Sequence, residues 1–131
     1  MRELNKMARY RATALVIRDG KVLLVRDKGR LDYSMPGGGF KPNESTLQAC
    51  IREVFEELHL KTISATRLRN CDLHGQRANH KVSLLIVDGE PHDIDHKELD
   101  GFLWWDMKKK IALQGHVLYI LNKYRERNPQ L

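Results

Sequence analysis

Residues 38–60 read GGFKPNESTLQACIREVFEELHL, and the fold turns on the second half of this stretch. From about Ser45 to Leu58 the apolar residues Leu47, Cys50, Ile51, Val54, Phe55 and Leu58 recur at helical spacing. Each residue of an α-helix advances about 100° around the axis. With Glu53 at zero, Glu56 falls near about 300° and Glu57 near about 40°, so the three carboxylates share one arc of about 100°. Leu47, Ile51, Val54, Phe55 and Leu58 occupy the arc from about 100° to about 200°, which predicts the side facing the core. Ala49, one turn before Glu53, leaves the acidic arc unobstructed.

Clustered like charges destabilise an exposed helix by roughly 0.2–0.5 kcal/mol per adjacent pair. Only Arg52, four residues before Glu56, compensates locally. Hard oxygen ligands on one patch are what Mg²⁺ or Mn²⁺ requires, usually with phosphate oxygens and water completing the shell. A solvated acidic helix face would have the same spacing. Pro36-Gly37-Gly38-Gly39, shortly before the helix, offers bare backbone that a phosphate or the acidic helix can approach closely.

Outward from this unit, Tyr10–Arg18 reads as a strand, Asp19-Gly20 as a hairpin turn and Lys21–Asp27 as the partner strand. Strand-like stretches follow near Ile63–Leu73 and Val82–Val87, then an acidic, His-bearing loop over Glu90–Asp100 and a short strand over Phe102–Asp106. Leu113, Val117, Ile120, Leu121 and Tyr124 are spaced for a terminal amphipathic helix. Strands and helices mix without regular βαβ alternation, which predicts a mixed sheet between helices. The 131 residues suit a single domain, 1–131, with residues 1–8 as a flexible tail.

Apolar residues at 41% and charged residues at 31% are ordinary globular composition and exclude wholesale disorder. Apolar runs such as Ala14–Ile17 and Leu84–Val87 are too short to span a bilayer, and the start of the chain lacks a leader's apolar segment. A cytoplasmic protein with no membrane partner is expected, and Cys50 and Cys71 read as reduced, buried thiols. The net charge of +6 is uneven: residues 1–30 hold nine Lys/Arg against three acids, and residues 31–60 hold two against five. A basic segment beside an acidic one suits a polyanion bridged by a divalent cation, although RNA binding or simple solvation fits the basic residues too.

Taken together, Gly38, Glu44 and Arg52-Glu53-Val54-Phe55-Glu56-Glu57-Leu58-His59-Leu60 resemble the Nudix box, G-x5-E-x7-R-E-U-x-E-E-x-G-U, where U is bulky and apolar. Every defined position matches except one, where His59 stands in place of glycine. The box covers residues 38–60; the strand order, the Trp-bearing strand and the terminal helix extend a weaker likeness to most of the chain. The resemblance implies an α/β/α sandwich in which a mixed sheet lies between helices, and a metal-dependent hydrolase acting on a nucleoside diphosphate linked to a further group. By the same resemblance Glu53, Glu56 and Glu57 hold Mg²⁺ or Mn²⁺, and Arg52 orients a glutamate. Gly38 lets backbone pack or coordinate at close range, and Glu44 supports the loop–helix junction or the metal shell. Such proteins often place another acid before the Trp-bearing strand; Glu98 is the first choice, with Asp95 and Asp100 as competitors.

The remaining assignments are looser. Gly37, Gly38 and Gly39 would line the substrate, with Arg26 and Lys28 as phosphate-binding cations and Arg30, Arg11 and Arg77 as further candidates. Base stacking could use Tyr33, Phe40, Trp104 or Trp105; the two tryptophans must face opposite sides of a strand, so one belongs to the core. His92 and His96 have a spacing that could mimic a metal pair. The expected partner is a nucleotide-type small molecule. An RNA 5′-end processing or RNA-binding protein is the second reading and a non-catalytic nucleotide sensor the third. The sequence leaves monomer and homodimer equally open.

Overall fold

The computed structural model describes residues 9–131, so the expected tail over residues 1–8 lies outside the described part. The chain runs β1 (Tyr10–Arg18), β2 (Lys21–Asp27), β3 (Gly37–Gly38), α1 (Thr46–Leu58) and β4 (Lys61–Arg67). It continues with a 3₁₀ turn (Arg69–Cys71), β5 (Leu73–His74), β6 (Asn79–Asp88), β7 (Leu99–Trp105) and α2 (Gly115–Arg127). The main sheet has the order β4-β6-β1-β2-β7, with β3 paired to β1 and β5 to β6. β1 and β6 are parallel and the other pairs antiparallel, which is the expected mixed sheet.

The β1–β2 hairpin closes through Asp19 (φ 52°) and Gly20 (φ 73°), the pair of positive φ angles that a two-residue turn needs to match strand twist. Alternation along β1 then builds two cores. Ala12, Ala14 and Val16 pack with Leu23, Val25, Leu85 and the α1 residues Ala49, Cys50, Val54 and Leu58. Leu15 faces the other way, joining Val22, Leu24, Val82, Trp105 and the α2 residues Val117, Ile120 and Leu121. One helix therefore covers each face of the sheet, giving the expected α/β/α sandwich. Each such fully buried Leu or Val contributes on the order of 2 kcal/mol. Trp105 is the core tryptophan; Trp104 packs at the edge of the opposite core, beneath the Arg18 guanidinium.

Several boundaries differ from the sequence reading. The strand expected over Ile63–Leu73 stops at Arg67, because Asp72 accepts hydrogen bonds from Arg67 Nη1 and Nη2 at 2.7 Å each and from the Val82 amide at 2.9 Å. A side chain that satisfies backbone and guanidinium donors competes with a continuous ladder, and the chain turns. β6 extends beyond Val82–Val87 at both ends, since its pairing with β1 begins at Asn79. β7 starts at Leu99, earlier than Phe102, because Asp27 pairs with Leu99 after a bulge at Asp100 of β7. Leu113 precedes α2 instead of opening it, forming a bridge with Tyr33.

The largest correction concerns which face of α1 is buried. Its buried residues are Ala49, Cys50, Val54, Glu57 and Leu58, whereas Ile51 and Phe55 are exposed. The centre of the inward side is thus turned by roughly 80° from that of the arc that hydrophobicity alone picked out. Small side chains let the helix sit close to the sheet through Ala49 and Cys50, and Glu57 goes in with them.

Ser45 caps α1 with a reciprocal box: its hydroxyl accepts from the Gln48 amide at 3.1 Å, and Gln48 Oε1 accepts from the Ser45 amide at 2.9 Å. His59 ends the helix in the left-handed region, at φ 55° and ψ 31°. Its Nδ1 lies 3.2 Å from the exposed His92 carbonyl, so some contact would be lost with the ring. His59→Gly is expected to stabilise the fold by about 0.5 kcal/mol, because relief of the left-handed backbone outweighs that contact and the freer unfolded chain. Turnover should be unchanged. A lowered melting temperature, or a rate that falls about tenfold, would give His59 a role of its own.

Candidate active site

Six carboxylates, those of Asp27, Glu53, Glu56, Glu57, Asp95 and Glu98, line a cavity of about 340 Å³ together with Gly37, Gly38, Gly39 and Arg11. Its glycine wall explains the bare backbone of this segment. A Cβ on Gly37 would strike the Ala12 carbonyl, and one on Gly38 would occupy the position of the Glu53 carboxylate. The orientation of α1 makes the three box glutamates unequal. Glu57 is buried at 9% exposure, Glu53 is largely covered, and Glu56 stands in solvent. Burial, reinforced by the neighbouring Glu53 charge, pushes the Glu57 carboxyl up to about 8. Burial also raises Glu53, while Arg52 opposes the shift. Glu57 Oε1 is buried without any hydrogen-bond partner.

Arg52 organises the mouth of this cavity. Its Nε and Nη2 donate to the two carboxylate oxygens of Glu44 at 2.7 and 2.8 Å, Nη2 also donates to the Gly39 carbonyl at 2.9 Å, and Nη1 donates to Glu56 at 3.0 Å. Glu53 Oε1 lies 3.5 Å from the same Nη1. The bidentate bond to Arg52, together with the Lys41 amide, holds Glu44 down at about 2. Arg52 and Glu44 thus pin the glycine loop to the helix. On the far side, the loop before β7 closes the last turn of α1: the His92 amide donates to the Leu58 carbonyl at 3.2 Å and the Asp95 amide to the Glu57 carbonyl at 3.0 Å. Capping those orphan carbonyls brings Asp95 and Glu98 to the cavity.

Other expected residues lie elsewhere. Arg26 and Lys28 do not line the cavity; Lys28 Nζ is 3.2 Å from Asp100 Oδ1, and Arg26 Nη2 donates to the Asp100 carbonyl at 3.3 Å. Asp100 is thereby occupied as well. His92 and His96 stay outside the cavity, and Tyr33, Phe40 and Trp104 pack against the cores.

A second cavity, of about 590 Å³, adjoins the first through Arg11, which lines both. Arg11 Nη2 donates to the Met35 carbonyl at 3.0 Å, and its Nε is buried with no partner among the described residues. Buried His80 and His116 line this cavity as a stacked pair, with ring centroids 4.3 Å apart and planes at 20°. His116 Nε2 accepts from the Met35 amide at 3.2 Å, and His80 Nδ1 is 2.8 Å from Thr13 Oγ1. Burial lowers both rings, His80 to about 4 and His116 to about 3, with Arg11 adding to each and His80 adding to His116. Arg77 and Gln114 complete the rim.

The description of one protein family, the NUDIX domain, matches residues 7–116. The chain belongs to the Nudix family. Among solved structures, a Nudix hydrolase family member from Chromobacterium violaceum superposes with a TM-score of 0.73 at 30% identity, covering 91% of this chain and 79% of that one. An RNA pyrophosphohydrolase of Photorhabdus laumondii is 29% identical over 109 residues, covering 66% of this chain and 62% of that protein. Its counterpart in Proteus mirabilis is 42% identical over 55 residues, 38% of this chain and 31% of the relative. The chain therefore spans less than two thirds of the length of these curated relatives.

Within this Nudix domain, three site residues escaped the sequence reading. Asp27 was legible in principle: Leu23 and Val25 face α1, and alternation carries Asp27 to the same side. Gln114 Nε2 and Ser34 Oγ donate to its Oδ2 at 3.1 and 3.3 Å, which fixes it at the cavity wall. The His80–His116 stack had no signal in the sequence, because parallel pairing of β1 with β6 and the start of α2 bring together residues 36 positions apart.

Proposed function

We propose that this Nudix protein hydrolyses a phosphoanhydride bond in a nucleoside diphosphate carrying a further group, using a divalent metal. The observation that carries the reading is the convergence of six carboxylates on a small cavity walled by glycine backbone, with Arg11 as its one basic residue among those described. The donor set fits Mg²⁺ or Mn²⁺: all its side-chain ligands are hard oxygens, and Glu57 has a buried oxygen that lacks a partner. Among the described residues, no three His, Cys, Asp or Glu side chains are gathered closely enough to ligate one ion as they stand. Glu53, Glu56 and Glu57 are the proposed ligands, and Glu56 would have to leave its bond to Arg52 in part to join them.

When bound, the ion supplies charge neutralisation, a more acidic water and stabilisation of the leaving phosphate. Arg52 and Glu44 hold the glycine loop against the helix, so the diphosphate meets fixed backbone. Arg11 grips phosphate oxygens at the junction of the two cavities. Glu98, exposed at the cavity rim, takes the proton of the attacking water on its carboxylate. Glu98→Gln should lower turnover by about a hundredfold, the low end for a general base because Asp95 stands beside it. Wild-type rates across roughly pH 6–9 in both Glu98→Gln and Asp95→Asn would return the base to the helix.

A second reading, removal of pyrophosphate from RNA 5′ ends, is favoured by the two RNA pyrophosphohydrolase relatives and by Arg77 on the second cavity. Binding would then weaken steeply with salt. A cytoplasmic setting is part of the proposal, supported by Cys50 and Cys71, which are free and buried. Neither described helix is long and apolar enough to cross a membrane. The deciding experiment incubates the protein and Mg²⁺ or Mn²⁺ with nucleoside triphosphates, ADP-ribose, dinucleoside polyphosphates and 5′-triphosphorylated RNA, and identifies the products. Hydrolysis of none would favour a nucleotide sensor and overturn the proposal.

A further inference from the structure

We propose that His116 is a specificity-determining residue: its imidazole, fixed as the Nδ1–H tautomer, offers a hydrogen-bond donor to an acceptor atom on the nucleoside of the substrate. The inference rests on the pyrophosphohydrolase reading and adds to it the part of the substrate held by the second cavity.

The tautomer follows from the hydrogen bond. His116 Nε2 accepts from the Met35 amide at 3.2 Å, so it carries no proton. A neutral imidazole has one ring proton, which must then sit on Nδ1. No described residue accepts from Nδ1, and His116 lines the larger cavity. Flipping the ring about Cβ–Cγ would break the bond to Met35, and tilting it would disturb the stack on His80, at 4.3 Å between centroids. The donor is therefore held in one place by two independent contacts. A water-exposed histidine, free to exchange tautomers, would recognise donors and acceptors alike.

Arg11 links this donor to the reaction site. It lines both cavities, and its buried Nε has no partner among the described residues. A phosphate at the junction would satisfy that donor by a charge-assisted hydrogen bond. The chain of contacts is short: Arg11 donates to the Met35 carbonyl, and the Met35 amide donates to His116. A diphosphate placed over the carboxylates would direct its nucleoside to the stacked histidines. The cavity of about 590 Å³ lies within the range of small-molecule sites.

The test needs no turnover. Histidine ¹⁵N spectra of the full chain, treated with chelator and held near neutral pH, read the tautomer directly, with His116 expected to be protonated at Nδ1 and bare at Nε2. The four nucleoside 5′-monophosphates are then titrated in, with inorganic phosphate as the control. At least one monophosphate is expected to shift the His116 and His80 signals well beyond phosphate alone. His116→Phe keeps a ring in the stack and removes the donor; it should change the ratio of affinities among the four monophosphates by about three- to tenfold. Protonation at Nε2, monophosphate shifts no larger than those of phosphate, or equal weakening of all four in His116→Phe would each overturn the assignment. If His116→Phe does not fold, the wild-type tautomer and titration decide alone. Loss of hydrolysis across the substrate panel with this binding intact would remove the reaction and leave the subsite, and the converse result would remove the subsite only.

Discussion

Glu57→Gln is expected to lower turnover in saturating Mg²⁺ by about two to four powers of ten while leaving the chain folded. The carboxylate is buried at 9% exposure, with one oxygen lacking any protein partner. An amide has the same shape but no charge to offer a cation, so several kcal/mol of electrostatic stabilisation would go with it. The same change relieves a strain of the metal-free fold, since burial and the nearby Glu53 both disfavour an ionised carboxyl there. Steady-state rates and thermal melts on one preparation check both halves: turnover should collapse, and the chelated variant should melt no lower than the parent at pH above about 8. Rates near wild type, or undiminished activity of the parent in chelator, would remove Glu57 and the metal from the mechanism.

That glutamate also marks where sequence reading succeeded and where it stopped. The box spacing placed Glu53, Glu56 and Glu57 on one arc of α1, and the hairpin residues Asp19 and Gly20 placed β1 beside β2; both are local patterns set by helical and strand periodicity. The depth of each carboxylate is not local. The apolar arc of α1 pointed to Ile51 and Phe55 as core, yet Ala49 and Cys50 occupy it because small residues allow closer approach of helix to sheet. This rotation buries Glu57 and leaves Glu56 in solvent, a distinction the helical wheel could not contain. Arg26 and Lys28 were read as phosphate ligands from their position before the glycine loop. Asp100 takes them both, through a β2–β7 pairing that no nearby residue announces. Arg11 and the histidine pair likewise depend on which strands are neighbours, a property of the whole sheet.

The metal-free protein is expected to lose about 1 kcal/mol of stability between about pH 6.5 and pH 8, and added Mg²⁺ is expected to reverse the loss. Glu57 titrates near its ordinary 4.5 when unfolded and at about 8 when folded. Across that interval the native state holds the extra proton, so folding weakens as pH rises. His80 and His116 act in the opposite sense. Their folded values of about 4 and about 3 lie below the ordinary 6.5, so the unfolded chain holds the extra protons and stability climbs with pH, levelling off at about 7.5. Up to about pH 7.5 the two effects oppose each other, because the unfolded histidines are still half protonated at 6.5; above about pH 7.5 the histidines are neutral in both states and Glu57 acts alone. A divalent cation binds the ionised carboxylates, so its stabilising effect grows over the same window. Urea melts at a series of pH values, with chelator and with Mg²⁺, measure this directly. The negative slope should vanish in Glu57→Gln while the acid limb due to the histidines persists. A slope that survives the substitution would assign the titration to another group, and the buried carboxylate would then not be the proton store that its position at the cavity floor implies.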